Sequence, residues 1–180
     1  MIPDRFKDTK YEDVPNEIRT LFEKMPETKR GIYIHGSVGT GKTHLCYAIK
    51  KKYDDPQGRF WAKFWNTTEL LREMRLDFDR NGMDKKHVEE ELMDRKYLLI
   101  LDDVGAEKMS DWVAETFYLI VNKRYNEMLP TIFTSNLSIA DLAERIGDRT
   151  VSRIVEMCDV VELIGKDRRI TNTKSLKINL

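Results

Sequence analysis

Short apolar runs alternate along this chain with longer stretches of helical period. Gly31-Ile32-Tyr33-Ile34-His35 predicts a buried strand, followed by a glycine-rich loop and a helix over 43–52. Residues 59–65, rich in aromatic side chains, predict a second strand. Asn66, with Glu69 three positions on, marks a helix start, and Gly82 divides the helical stretch that follows. Tyr97-Leu98-Leu99-Ile100-Leu101 runs into Asp102-Asp103 and predicts a strand covered on both faces. Ser110 caps a helix whose apolar stripe is Val113, Phe117, Ile120 and Val121. Pro130 breaks that pattern before a fourth strand, Thr131-Ile132-Phe133-Thr134-Ser135. Ser138 with Asp141 opens a short helix that Gly147 stops; a further helix runs from Asp148 to about Met157. Residues 160–164 predict a fifth strand. This alternation predicts an open α/β sheet of five parallel strands flanked by helices, with ligands bound beyond the carboxyl ends of the strands.

Composition narrows the class. The 180 residues carry 31 basic and 31 acidic side chains, with 41% hydrophobic positions, too apolar for a disordered chain. Zero net charge excludes a uniformly basic nucleic-acid coat and leaves room only for a local basic stripe. No segment approaches the ~18 apolar residues of a membrane span and none reads as a signal peptide, so a cytoplasmic protein without membrane contact is expected. Cys46 and Cys158 cannot form a disulfide framework and have no partners at metal-ligand spacing.

Four of the nine glycines fall between Gly31 and Gly41. Within that cluster, Gly36-Ser37-Val38-Gly39-Thr40-Gly41-Lys42-Thr43 fits G-x-x-x-x-G-K-[ST] at every fixed position, with a strand before it and a helix after it. Such a loop curls its N–H groups inward around phosphates at a helix N-terminus. Lys42 is then expected on the β- and γ-phosphates of ATP or ADP, and the Thr43 hydroxyl on Mg²⁺. His44 follows directly and counts with the binding segment by position, although its ring, like that of His35, reads as a packing residue.

Asp102, at the strand tip, is suited to the Mg²⁺ shell opposite Thr43, and Asp103 to orienting and deprotonating an attacking water. Asn136 ends the fourth strand; a carboxamide there can bond both a γ-phosphate and a lytic water if that strand lies between the first and the third.

Together these residues resemble the AAA+ ATPases of bacterial helicase-loader type, DnaC and DnaI, with the related transposition helper IstB. The likeness runs from Ile2-Pro3-Asp4-Arg5-Phe6 through the loop, Leu98–Gly105 and Thr131–Asn136 to Ile146–Ile154 and Gly165-Lys166-Asp167-Arg168-Arg169. It implies a P-loop sheet with the fourth strand between the first and third, and nucleotide-dependent self-assembly through the ATP interface. It implies that Arg153 is an arginine finger for the neighbouring subunit and that Arg169, or Arg168, is a second sensor. It implies a replicative helicase as partner in DNA replication, with single-stranded DNA as a further ligand, or else a transposition role or a nucleotide-gated adaptor with little hydrolysis. Two departures stand out. Asp103 occupies a place where AAA+ proteins generally carry Glu. Loaders usually carry an N-terminal helicase-gripping domain, whereas this chain begins where the ATPase domain starts, so a single domain over 1–180 is expected. Arg72, Arg75, Arg80, Lys85 and Lys86 could touch DNA, but the acidic residues among them read equally as a solvated face.

Overall fold

The computed structural model describes residues 2–54, 61–79, 88–94 and 97–167. The order is α1 (Asn16–Thr28), β1 (Gly31–His35), α2 (Lys42–Tyr53), β2 (Trp61–Asn66), α3 (Thr67–Asp79) and α4 (Val88–Met93). It continues with β3 (Tyr97–Asp102), α5 (Asp111–Asn126), β4 (Thr131–Ser135), α6 (Ile139–Ile146), α7 (Asp148–Met157) and β5 (Cys158–Glu162). The strands form one sheet, ordered β2-β3-β4-β1-β5, with every pairing parallel. β4 therefore lies between β1 and β3, and the carboxyl ends of the three central strands open on one edge.

Alternate side chains of each strand serve opposite faces of the sheet. Ile32, Ile34, Ile100 and Ile132 pack with Leu45 and Ile49 of α2 and with Ile18, Phe22 and Met25 of α1. Tyr33, Leu99, Leu101 and Phe133 pack on the other face with Phe117, Ile120 and Val121 of α5, Leu142 of α6 and Ile154 of α7. The Ser110 cap is present, its hydroxyl accepting from the Val113 N–H at 3.3 Å. Ser138 and Asp141 form the capping box that starts α6.

Two elements depart from the sequence pattern. β5 begins at Cys158, two residues before the expected 160. Its start is set by pairing of Cys158 with Gly31, and by Arg30, whose guanidinium donates to the Cys158 and Glu156 carbonyls and to Asp159. Ile164, taken as strand by its apolarity, is 86% exposed. α1 is an additional helix. At the opposite end of the sheet from the open edge, Arg124 is 1% exposed and donates to the Thr131 hydroxyl at 2.7 Å and to the Pro130 and Leu92 carbonyls. Burial pulls its pKa down to about 9, which leaves it charged at pH 7. No described helix is long and apolar enough to cross a membrane.

Candidate nucleotide-binding site

The loop between β1 and α2 is shaped by glycine backbone that other residues rarely adopt. Gly36 has φ +151, and a Cβ there would stand 2.3 Å from the Leu163 carbonyl oxygen. Gly39 has φ +79, and its missing Cβ leaves room for the Asp167 carboxylate. Thr40 is buried and donates its hydroxyl to the Ser37 carbonyl at 2.9 Å, closing the turn from inside. Lys42 is buried, and its ammonium donates to the carbonyls of Gly36 at 2.6 Å and Ser37 at 2.9 Å. A cation held against two carbonyl dipoles inside a curled loop is poised for a polyphosphate.

Beside it, the ends of β3 and β4 and the first turn of α2 converge in one hydrogen-bond network. Thr43, in the first turn of α2, donates to Asp102 Oδ2 at 2.9 Å. Thr134, fully buried on β4, donates to Asp102 Oδ1 at 2.6 Å and accepts from the Asp103 N–H at 2.9 Å. Asn136 donates to Asp103 Oδ1 at 2.8 Å. Asp103 itself sits at φ +61, a left-handed conformation that Asp and Asn tolerate better than most side chains. Burial pushes the Asp102 carboxyl up, and the Thr134 and Thr43 hydroxyls pull it back towards the ionised form. A buried carboxylate joined to a loop threonine suits an octahedral cation that keeps most of its waters, so Thr43 and Asp102 fit Mg²⁺. That fit does not need a dense cluster of ligating side chains, and none of three or more occurs among the described residues.

These groups line a cleft of about 680 Å³ with Val38, Gly39, Gly41, His44, Asn66, Arg5 and Phe6. Of the expected binding residues, Gly36, Ser37 and Thr40 shape the loop without lining the cleft. His44 does line it and also meets the Phe6 ring edge-on, so its binding and packing roles coexist. Phe6 stacks on Tyr47, which stacks on Phe64 of β2, and this column ties the amino-terminal segment to the cleft. Thr134, Arg5, Phe6 and Asn66 fell within recognised segments but were given no role in the site by the sequence. The signal for Thr134 was its place two residues before Asn136 on a strand ending beside Asp102.

Arg153 is not among the cleft-lining residues. It sits on α7 with its guanidinium against α5, donating from Nε to Asn122 Oδ1 at 2.8 Å. Arg168, Arg169, Arg80, Lys85 and Lys86 lie outside the described residues. Arg72 is exposed on α3, and Arg75 covers the Trp112 ring at 4.6 Å.

Residues 15–176 match the family described as IstB-like ATP binding protein. The chain belongs to that family. It is 28% identical over 155 residues to the replicative helicase loader DnaI of Bacillus subtilis, covering 78% of this chain and 48% of that protein. The crystal structure of the DnaC helicase loader superposes with a TM-score of 0.77 at 30% identity, over 90% of this chain and all of that one. The DnaI crystal structure gives a TM-score of 0.74 at 26% identity, over 94% of this chain and 95% of that one. The fold is therefore the AAA+ P-loop fold, and the chain is of the DnaC/DnaI helicase-loader type, related to IstB. The chain spans about half the length of the curated relatives it matches first.

Proposed function

We propose that this protein binds ATP with Mg²⁺, hydrolyses it between assembled subunits in the cytoplasm, and uses that cycle to control loading of a replicative helicase on single-stranded DNA. The observation that carries the reading is the continuous network Thr43–Asp102–Thr134–Asp103–Asn136 beside Lys42, which joins a metal-binding pair, a candidate base and a polar sensor. Lys42 exchanges the loop carbonyls for the β- and γ-phosphates. Thr43 and Asp102 would hold Mg²⁺, whose contribution when bound would be to neutralise phosphate charge. Asp103 orients a water and accepts its proton as that water's oxygen bonds to the γ-phosphorus and the bond to the ADP oxygen breaks. Asn136 holds Asp103 in place and is positioned to bond the γ-phosphate. Arg153 adds, from the adjoining subunit, a second cation beside Lys42 against the charge developing on the transferred phosphoryl group. Arg169 would add a second contact from the same chain. The second reading, a transposition helper, is favoured by the IstB-like family match; it shares all of this chemistry and differs in the protein engaged.

The test uses two variants. Lys42→Ala should lose binding of a fluorescent ATP analogue, and Arg153→Ala should bind it normally yet turn over ATP about 10³-fold more slowly. Mixed together they should regain turnover, because one provides an intact loop and the other an intact arginine. Turnover independent of protein concentration, with no rescue in the mixture, would refute assembly through Arg153. Purified replicative helicase should be retained by the ATP-bound protein and released by the ADP-bound form; retention of a purified transposase instead would decide for the second reading.

A further inference from the structure

Helices α5 and α7 are joined by three side-chain hydrogen bonds with the same offset. Tyr118, Asn122 and Tyr125 meet Arg149, Arg153 and Glu156, and each partner lies 31 positions further along the chain. Both triplets follow i, i+4, i+7 spacing, so each occupies one face of its helix, and the constant offset means that the two helices run parallel in fixed register. The Arg149 Nη2 donates to the Tyr118 hydroxyl at 3.2 Å, and the Tyr125 hydroxyl donates to Glu156 Oε1 at 2.6 Å. Between these outer rungs, Arg153 spends its Nε on Asn122 and its Nη1 on the Arg149 carbonyl at 2.9 Å. Its guanidinium carbon also lies 5.1 Å from the Tyr118 ring centre and 5.8 Å from that of Tyr125.

The chemistry of these contacts is selective. Every group that holds Arg153 is a neutral acceptor or a ring face, and among the described residues no carboxylate pairs with Arg149 or Arg153. A carboxylate would orient the guanidinium and also cancel its charge. An amide oxygen, a peptide carbonyl and two tyrosine rings orient it and leave the charge available. Two arginines four apart on one helix repel each other weakly, and an anion brought against them would relieve that repulsion.

We propose that the Tyr118–Asn122–Tyr125 face of α5 is a positioning element that sets Arg153 for the polyphosphate bound by a neighbouring copy of this chain. The inference rests on the trans role of Arg153 proposed above. Asn122 is the decisive rung, because its hydrogen bond goes to Arg153 and the outer rungs are made by other side chains. Asn122→Ala should leave ATP-analogue affinity unchanged and reduce turnover about 10- to 100-fold, the range for misplacing a reacting group by an ångström or less. Asn122→Asp keeps the acceptor oxygen but adds the carboxylate charge that pairs with the guanidinium, so its turnover should also fall well below wild type.

The decisive experiment places Asn122→Ala on one chain at a time in the Lys42→Ala and Arg153→Ala mixture. On the Lys42→Ala chain, which donates the arginine, it should remove most of the rescued turnover. On the Arg153→Ala chain, which contributes only its loop, it should leave the rescue in place. Equal loss in both arrangements would overturn the inference in favour of a general packing role. Full rescue in both would overturn it by showing that Arg153 needs no rung. No rescue even with Asn122 intact would overturn the trans arginine itself and the inference with it, a pattern distinct from the other two.

Discussion

Replacing Thr134 with valine removes one hydroxyl at almost constant volume and strips two hydrogen bonds from the carboxyl edge of the sheet. The residue is fully buried and Asp102 is 4% exposed, so water cannot replace the lost donor freely. Loss of a bond to an ionised carboxylate costs about 1.5–3 kcal/mol, and the orphaned, half-buried Asp103 N–H adds about 1 kcal/mol. The sum near 3 kcal/mol corresponds to a fall of roughly 6–12 °C in Tm for a chain of this size. The effect should depend on pH with a definite sign. The Asp102 carboxyl is already pushed up from its ordinary 3.8, chiefly by burial, so the folded state keeps this proton where the unfolded chain has lost it. Stability contributed by this group therefore falls as pH rises from 3.8 through the native value. Removing the Thr134 hydroxyl, which holds that value down, lifts it further, so the penalty is largest at neutral pH and shrinks towards about pH 4. Urea unfolding of wild type, Thr134→Val and Thr134→Ser across that range checks this, with serine expected to keep most of the wild-type pH dependence. A loss below about 1 kcal/mol at pH 7, or an equal loss at both ends of the range, would refute the reasoning.

Asp103→Asn should preserve the local backbone, because asparagine tolerates the same left-handed φ, and should preserve ATP-analogue affinity while cutting turnover at least 10²-fold; turnover equal to wild type would show that Asp103 is not the base. Arg124→Met should lower stability by about 1–3 kcal/mol, since three buried acceptors lose their donor while the desolvation cost of the guanidinium disappears. Its ATP affinity should match wild type, and an unchanged urea midpoint would show that the two effects cancel.

The strands and the phosphate edge were legible because each has a local signature. Apolar runs marked β1 and β3, the break at Pro130 marked β4, and the loop and Asp102-Asp103 followed directly from the first two. α1 was missed although its buried side chains Ile18, Phe22 and Met25 stand at i, i+4, i+7, because Pro15 before it and Pro26 inside its last turn made the charged segment read as broken. The start of β5 was misplaced because it depends on pairing to β1 and on Arg30, more than a hundred positions away, rather than on its own apolarity. Phe6 reaches the cleft by stacking on Tyr47 of α2, with Arg5 beside it in sequence, a contact that no spacing along the chain reveals. The α5 face that holds Arg153 was hidden for a related reason: Tyr118, Asn122 and Tyr125 look like an ordinary half-exposed helix surface until α7 lies beside it.

The placement of β4 between β1 and β3 also governs when the phosphate loop can exist during folding. Ile32 of β1 pairs with Ile132, a hundred positions away, and Gly31 pairs with Cys158, so both neighbours of the strand that carries the loop come from the last third of the chain. Closing a loop of that length costs about 4 kcal/mol in chain entropy before any pairing compensates it. Contacts so distant in sequence slow folding, and β2 paired with β3 cannot substitute for them. On a ribosome, β1 would wait unpaired on both edges until residues 131–162 had emerged. Nucleotide binding is thus a late event by topology, and a chain that has captured a nucleotide has already completed its sheet.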